Sequence, residues 1–128
     1  GQLVILGSLT GYVPMQKLAA YSASKAAVNS YVEILAEEEK RSGVQMLLVA
    51  PTAVKTPLLS QATGGPQFIQ GLAGKMSGLL MIQPDDVLDA IDRGLRRGTP
   101  VVVPGGRLPL LGRRLSRRFA WAATDIFN

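Results

Sequence analysis

Tyr21 and Lys25 are two side chains that could exchange a proton with a substrate. They lie four residues apart in an alanine-rich segment with no Pro or Gly between them, which favours a helix and places both on one helical face. A nearby ammonium favours the charged form of a phenol and lowers its pKa from about 10 toward neutral pH. In this arrangement Lys25 would make Tyr21 an effective acid or base at a C–O group.

Ser8 is a third group that could act on the same oxygen. It follows an apolar run at residues 3–6, which predicts a buried strand and places Ser8 at the strand's carboxyl end, where α/β sheets bind their ligands. Because a serine hydroxyl both donates and accepts, Ser8 could hold the substrate oxygen where Tyr21 exchanges its proton. We interpret Asn29, one turn beyond Lys25, as a helix-surface or interface residue and leave it out of the site.

The composition excludes several common kinds of catalytic site. The chain has no histidine and no cysteine. A Ser-His-Asp triad, a thiolate nucleophile and a His/Cys metal site are therefore ruled out within it, and we expect no metal site. Hydride transfer at a C–O group would then need an external carrier.

Three sequence features together closely resemble the short-chain dehydrogenases/reductases: Ser8, the run Tyr-Ser-Ala-Ser-Lys at 21–25 and the run Val-Ala-Pro-Thr-Ala-Val-Lys-Thr at 49–56. In that family the Ser, Tyr and Lys are catalytic, the lysine also bonds the nicotinamide ribose, and the loop containing the proline contacts the nicotinamide end of NAD or NADP. The resemblance implies catalytic roles for Ser8, Tyr21 and Lys25. The cofactor-binding residues that it implies are Tyr21, Lys25, Pro51, Thr52, Val54 and Thr56.

The resemblance covers essentially the whole chain but only the carboxyl-terminal half of the family's fold. Thr52 departs from the family pattern, which usually has glycine after the proline. The family's Gly-x-x-x-Gly-x-Gly turn, the residue that reads the adenosine ribose and the active-site Asn of an earlier helix have no counterpart in this sequence. Since Gly1 leads directly into a strand, we expect this segment to belong to a longer protein and to be inactive alone.

Hydrophobic periodicity predicts the elements that position these residues. A helix is expected over 18–42 with Gly43 just beyond its end. A strand is expected over 44–50, buried on both faces and parallel to the first strand. In the family this helix often packs against a second subunit, so the resemblance implies a homo-oligomer. The residues predicted to face the sheet or a neighbour are Val28, Tyr31, Val32, Leu35 and Ala36.

A second helix is predicted over 84–97, with a proline and two acids in its first turn and Gly98 after its last. A short strand should follow at 101–103. The predicted fold class is α/β, the last three strands and their helices of a Rossmann-like doubly wound parallel sheet, with an apolar edge where the missing half would pack. The buried stripe predicted for the second helix is Val87, Leu88, Ile91 and Leu95.

Two segments are candidates for substrate contacts. Residues 9–17 are predicted to form a loop in which Tyr12 and Met15 either line a pocket or pack beneath the loop. Residues 58–82 are rich in glycine and methionine and match the position of the family's variable substrate-binding segment. Apolar, adaptable side chains suggest a hydrophobic small-molecule substrate, although short helices that cover the core are an equal alternative.

We divide the chain into residues 1–104, the half-domain, and residues 105–128, a basic amphipathic tail. The tail carries leucines, a tryptophan and much of the chain's net charge of +5. It is either a membrane-surface or partner-binding helix or a terminal helix docked on its own domain. Since no nucleic-acid-binding motif is recognisable, we do not expect nucleic acid as a partner. The arginines of the tail are Arg107, Arg113, Arg114, Arg117 and Arg118.

Composition and segment lengths set the remaining expectations. The sequence is 47% hydrophobic and 18% charged, as in globular domains. It contains no secretory signal and no apolar run of the roughly twenty residues that a spanning helix needs, so we expect a cytoplasmic location, with peripheral membrane contact through the tail as an alternative.

The sequence therefore predicts an NAD- or NADP-dependent oxidoreductase that interconverts an alcohol and a carbonyl, with an apolar substrate. The alternative is a catalytically incomplete fragment or non-catalytic scaffold whose basic tail binds a membrane or a partner.

Overall fold

The computed structural model describes residues 1–13, 18–55 and 81–105. The predictions made for Met15, for Thr56, for nearly all of the variable segment and for the tail from residue 106 onward lie outside these residues. Neither helix within the described ranges is long and apolar enough to cross a membrane.

The core of the fold is a parallel sheet of three strands in the order β1-β2-β5. Gln2 is opposite Gln45 in the first pair, and Leu48 is opposite Val101 in the second. The predicted parallel pairing and α/β class are confirmed. The strands are β1 (Gln2–Leu6), β2 (Gln45–Val49), β3 (Ala53–Val54), β4 (Met81–Ile82) and β5 (Val101–Val102).

The central strand is the most deeply buried element of the described chain. Residues 46–50 are between 0 and 7% exposed, as predicted for a strand covered on both faces. β1 behaves differently, because it is an edge strand with a neighbour on one side only. Leu3 is 44% exposed and Leu6 58%, so the prediction of a buried first strand is wrong, whereas the expected apolar edge is present.

The two α-helices of the described residues, α1 (Ala19–Glu38) and α2 (Pro84–Arg97), cover opposite faces of the sheet. Val32 of α1 packs in a cluster with Leu48 and Val101, whereas Gly94 of α2 lies against Leu47. Since successive residues of a strand point to opposite faces, the sheet is covered on both sides, as in a doubly wound fold.

α1 ends four residues earlier than predicted, at Glu38 rather than Ser42. The Ser42 hydroxyl donates to the Glu39 carbonyl and accepts from the Val44 N–H, which satisfies backbone groups in a turn instead of a further helical turn. Gly43 has a φ of 77°, in the left-handed region that glycine adopts without strain, and it leads into β2.

The orientation of α1 about its axis also differs from the prediction. Its buried residues are Asn29 and Val32. Tyr31 is 65% exposed, so of its two predicted places it does not take the one against the sheet, and its place against a neighbour stays a prediction. Val28, Leu35 and Ala36 are half-buried at the border of that face.

α2 has the bounds and the ends that the sequence predicts. The Gln83 N–H donates to the Asp86 carboxylate at 2.8 Å in a capping box, and Gly98 ends the helix at a φ of 63°. Its buried residues are Ala90 and Gly94, which bring the helix backbone close to the sheet. Leu88 is turned outward and is 61% exposed, so its place in the predicted stripe is wrong.

A second, smaller sheet was not predicted. β3 lies within the loop that follows β2 and pairs in parallel with β4. The Lys55 N–H donates to the Ile82 carbonyl at 2.9 Å beyond the last paired residues. Met81 and Ile82, the last two residues of the predicted variable segment, therefore belong to a strand.

Candidate functional site

The segment that follows β1 is hydrogen-bonded to the last residue of β2 and to the segment beyond it. The Gly7 N–H donates to the Val49 carbonyl at 2.8 Å, and the Leu9 N–H donates to the Pro51 carbonyl at 3.0 Å. These bonds extend the β1–β2 contact past the carboxyl ends of both strands. Ser8, which lies between the two donors, is thereby placed beside the start of the Pro51 loop.

The Ser8 hydroxyl is held in place by a short 3₁₀ helix, Leu9–Gly11, which it caps. It accepts from the Thr10 N–H at 3.2 Å and lies 2.9 Å from the Thr10 hydroxyl oxygen. Ser8 is only 6% exposed. Since a hydroxyl has one hydrogen and two lone pairs, these contacts leave capacity for one further hydrogen bond.

Tyr21 and Lys25 lie side by side near the start of α1. The Lys25 Nζ is 5.8 Å from the centroid of the Tyr21 ring. The same nitrogen donates to the Leu6 carbonyl at 3.3 Å, at the carboxyl end of β1 and two residues before Ser8. Lys25 therefore joins the phenol to the end of the strand that carries Ser8. Tyr21 remains 47% exposed, so its ring is open to a ligand.

Asn29 is the residue of this region that the sequence reasoning missed. It is 1% exposed, so its interpretation as a helix-surface residue is wrong. Its Nδ2 donates to the Ser8 carbonyl at 2.8 Å, and its Oδ1 accepts from the Ser8 N–H at 3.4 Å. The available signal was its spacing, because it follows Tyr21 and Lys25 at intervals of four residues and adjoins the buried position of Val32.

Two glycines make room for the Asn29 amide. A Cβ atom at Gly7 would lie 2.0 Å from its Oδ1, and a Cβ atom at Gly11 would lie 2.4 Å from its Nδ2. The Cβ atom at Gly11 would also lie only 2.8 Å from the Lys25 carbonyl oxygen. The segment around Ser8 is therefore in direct backbone contact with α1, and any larger residue at either glycine would force the two apart.

The loop after β2 contains a buried hydroxyl with no hydrogen-bond partner among the described residues, Thr52 Oγ1. A buried hydroxyl without a partner is costly, and a ligand that hydrogen-bonds to it would remove that cost. The Lys25 ammonium has three N–H groups, of which the Leu6 carbonyl takes one. An unpartnered hydroxyl and spare ammonium donors fit the amide and ribose hydroxyls of a nicotinamide nucleotide. Val54, in β3, is half-buried in the same loop.

Tyr12 takes the second of its two predicted roles, packing beneath the loop. Its ring packs against the buried cluster that contains Val32 and Leu48. Its hydroxyl donates to the Glu33 carboxylate on α1. These contacts anchor the segment after Ser8 to α1 a second time.

The family model for short chain dehydrogenases matches residues 1–66 of this chain. Among individual proteins, the chain is 32% identical over 111 residues to the probable oxidoreductase EphD of Mycobacterium tuberculosis, a match that covers 79% of this chain and 18% of that protein. It is 36% identical over 85 residues to the short-chain dehydrogenase/reductase prx4 of Penicillium roqueforti, covering 64% of this chain and 26% of the relative.

A third relative is the ipsdienol dehydrogenase of Ips pini, which is 31% identical over 91 residues, or 71% of this chain and 36% of the relative. The matched part is therefore well under half the length of each of these proteins. The family match spans more than half of the chain and includes Ser8, Tyr21, Lys25 and the loop that begins at Pro51. This chain belongs to the short-chain dehydrogenase/reductase family.

Proposed function

We propose that the polypeptide containing this chain is an NAD- or NADP-dependent oxidoreductase that interconverts an alcohol and a carbonyl at Ser8, Tyr21 and Lys25. The observation that carries the proposal is the position of the Lys25 ammonium, which lies beside the Tyr21 ring and bonds to the end of β1 next to Ser8. Family membership and relatives named as dehydrogenases support the reaction class.

Lys25 and the loop after β2 would hold the nicotinamide end of the cofactor. The donors that Lys25 does not give to Leu6 suit the ribose hydroxyls, and the unpartnered Thr52 hydroxyl suits the carboxamide. Pro51 and Val54 would contact the ring, and Thr56 would donate a further hydroxyl. When bound, the nicotinamide supplies the acceptor or donor of a hydride at the substrate carbon.

Proton transfer is the part of the reaction that this chain's own residues perform. In the oxidation direction, Ser8 donates a hydrogen bond to the alcohol oxygen and the Tyr21 oxygen takes the hydroxyl proton, while the carbinol hydrogen leaves with its electron pair and C–O becomes C=O. In the reduction direction, Tyr21 returns the proton to the carbonyl oxygen. The Lys25 ammonium stabilises the negative charge on the phenol oxygen when its proton has left.

The substrate proposed is an apolar alcohol or its ketone. The exposed side of Tyr21 leaves an approach for it, and the segment at 58–80 supplies methionine, leucine and glycine in the sequence. One relative is named for ipsdienol, an alcohol. A homo-oligomer is also proposed, with α1 at the contact, because Tyr31 and Ile34 are 65% and 56% exposed on its outer side.

The test replaces Tyr21 with phenylalanine in the natural polypeptide that contains this chain. Oxidation of 2-octanol and cyclohexanol with NAD⁺ or NADP⁺, and reduction of the matching ketones, are followed by nicotinamide fluorescence. Tyr21→Phe should lower turnover by at least about 10²-fold because it removes the proton carrier, and it should weaken cofactor binding far less, because Lys25 and the loop after β2 keep their proposed contacts. Tyr31→Phe, a change of the same kind at an exposed position of α1, should leave turnover unchanged.

Two results would contradict the proposal. Full turnover by Tyr21→Phe would remove Tyr21 from the proton transfer. Failure of the unmutated polypeptide to bind NADH and NADPH would favour the non-catalytic scaffold.

A further inference from the structure

We infer that Asn29 is the positioning residue for Ser8, and that its side-chain amide fixes the Ser8 peptide so that the Ser8 hydroxyl faces the Tyr21–Lys25 pair. The inference rests on the proposed catalytic role of Ser8. It adds a residue that touches neither substrate nor cofactor and acts through Ser8 alone. Two sets of contacts carry it: the two Asn29–Ser8 hydrogen bonds and the two glycines that make room for the amide.

The first step is the direction of the Ser8 backbone groups. Along an extended segment, the N–H groups of successive residues point to opposite sides. Gly7 and Leu9 donate to the carbonyls of Val49 in β2 and Pro51 beyond it, so the Ser8 N–H and carbonyl point away from these residues. On that side β1 has no strand neighbour in the described chain, and the Asn29 amide supplies both the acceptor and the donor that such a strand would give.

The second step is the choice of side chain. The Ser8 N–H needs an acceptor and the Ser8 carbonyl needs a donor. A planar side-chain amide supplies both. A carboxylate would accept from the Ser8 N–H but would face the Ser8 carbonyl without a hydrogen to share. A leucine of similar volume would leave both backbone groups buried and unpaired, which destabilises the arrangement. Asn29 is 1% exposed, so water is not available as a substitute.

The third step connects the two Asn29–Ser8 hydrogen bonds to the rest of the site. Asn29 lies one turn beyond Lys25 on the same face of α1, and Gly11 fits against the Lys25 backbone while it makes room for the Asn29 amide. The contacts that hold Ser8 therefore also hold α1 in register with the end of β1. A shift of about 1 Å between catalytic groups can cost roughly 10²-fold in rate. The contact of Gly11 with the Lys25 backbone does not involve the Asn29 side chain, so we expect loss of the amide to affect turnover through Ser8 and to leave cofactor affinity unchanged.

The experiment compares Asn29→Leu with Asn29→Asp in the natural polypeptide that contains this chain, with 2-octanol and NAD⁺ or NADP⁺ as probes. Asn29→Leu should lower kcat by about tenfold to a hundredfold at every pH and leave the dissociation constant of NADH or NADPH unchanged. Asn29→Asp should be equally slow at neutral pH. Its turnover relative to the unmutated protein should rise toward pH ~5, because a protonated carboxyl regains the O–H donor.

The dissociation constant of NADH or NADPH separates positioning from a general structural role, because a disturbed fold around α1 would weaken cofactor binding together with kcat. Asn29→Leu should also speed hydrogen exchange at the Ser8 amide, because it removes the acceptor of the Ser8 N–H, whereas Asn29→Asp keeps an acceptor there and should not. Ser30→Ala, at an exposed neighbouring position of α1, is the control and should change neither kcat nor that exchange.

Ser8→Ala separates this inference from the proposed function. If Ser8→Ala keeps full turnover, the proposed role of Ser8 fails, and Asn29 can position nothing for catalysis. If Ser8→Ala loses roughly 10²-fold while Asn29→Leu, or Asn29→Asp at neutral pH, keeps full turnover, the proposed function stands and the inference about Asn29 is overturned. Should Asn29→Leu fail to fold, a flat pH dependence of Asn29→Asp relative to the unmutated protein overturns it as well.

Discussion

The Lys25 Nζ lies 5.8 Å from the centroid of the Tyr21 ring and donates to the carbonyl of Leu6 at 3.3 Å. One ammonium therefore contacts the proposed proton carrier and the end of the strand that carries Ser8. Because its partner on β1 is a backbone carbonyl, this anchor depends on strand geometry and not on the identity of the Leu6 side chain. Its remaining donors are the ones proposed for the cofactor ribose.

Replacing Lys25 with methionine should therefore reduce two quantities together, turnover and cofactor affinity. We expect turnover to fall by about 10²-fold and the dissociation constant of NADH or NADPH to rise about tenfold, since one group serves the phenol and the ribose. Steady-state kinetics and a fluorescence titration measure them. Lys40→Met, which removes a lysine whose ion pair with Glu37 is exposed, should change neither. Unchanged cofactor affinity in Lys25→Met would refute the ribose contact while leaving the catalytic role intact.

Thr52→Val should affect stability and cofactor binding in opposite ways. The Thr52 Oγ1 has no partner within the described ranges, so an isosteric methyl in its place should leave the protein as stable or raise its stability by up to about 1 kcal/mol. If that hydroxyl bonds to the cofactor, the dissociation constant should rise by roughly two- to tenfold, the value of one neutral hydrogen bond.

Thermal unfolding without cofactor and a fluorescence titration with NADH and NADPH measure the two effects. Ser22→Ala is the matched control, because Ser22 Oγ is the other buried hydroxyl without a partner in the described part of the chain. It should match Thr52→Val in stability and leave binding unchanged. Equal cofactor affinity in all three proteins would rule out the Thr52 contact.

The order of strands and helices was predictable because each large element leaves a strong local pattern. Residues 46–50 form an unbroken apolar run between Gly43 and Pro51, and the structure buries them almost completely. α2 begins at a proline followed by two acids and ends before Gly98, so both of its ends were predicted. Parallel pairing then followed from the length of the connecting helix.

The rotation of α1 about its axis was not predictable from polarity. Periodicity places Tyr31 against the sheet or a neighbour and Asn29 on the helix surface or at an interface, since it weighs each side chain by its affinity for water. The structure buries Asn29 because its amide has partners on the Ser8 peptide, 21 residues earlier in the chain. A buried polar group is stable only where such partners exist. The contact between Asn29 and the distant Ser8 peptide cannot be predicted from the local sequence pattern.

The two-residue strands could not be predicted from the sequence either. β3 and β4 are too short to show an alternating pattern, and each is stabilised by the other across a long separation in the chain. In α2 the predicted stripe included Leu88 and omitted Gly94, because a hydrophobicity pattern does not anticipate that a residue without a side chain will be the point of closest approach.

Gly7 and Asn29 should show coupled effects on stability. Gly7→Ala places a Cβ 2.0 Å from the Asn29 Oδ1 and should cost about 2 kcal/mol or more in the free energy of unfolding. In an Asn29→Ala background that oxygen is gone, and the nearest remaining atom of the described residues is the Leu48 Cδ1 at 3.0 Å. The same change should then cost at least about 1 kcal/mol less.

Urea unfolding of the four proteins in this double-mutant cycle measures the coupling. A coupling energy near zero would mean that the Asn29 amide does not occupy the space beside Gly7. Gly98→Ala is the control, because the left-handed φ of 63° at Gly98 is strained by any side chain while no atom of the described residues lies within 4 Å of the place that a Cβ would take. Its cost of about 1 kcal/mol should therefore be independent of Asn29.

Gly94→Ala should destabilise the contact between α2 and the sheet even though alanine is the better helix former. Alanine gains about 1 kcal/mol over glycine in a helix interior. Its Cβ, however, would lie 2.8 Å from the Val102 Cγ1 and 3.0 Å from both Leu47 Cδ atoms, and Leu47 is fully buried and cannot move aside. Overpacking of this kind costs about 1–3 kcal/mol, so the net change should be a loss of about 1 kcal/mol.

The urea midpoint should therefore fall for Gly94→Ala and stay nearly constant for Leu88→Ala, since Leu88 lies on the same helix but is 61% exposed. Adding Val102→Ala should recover part of the loss, because it removes the methyl group that the new Cβ meets first. If Gly94→Ala raises the midpoint instead, helix propensity outweighs packing, and the close approach of α2 to β5 does not restrict position 94 to glycine.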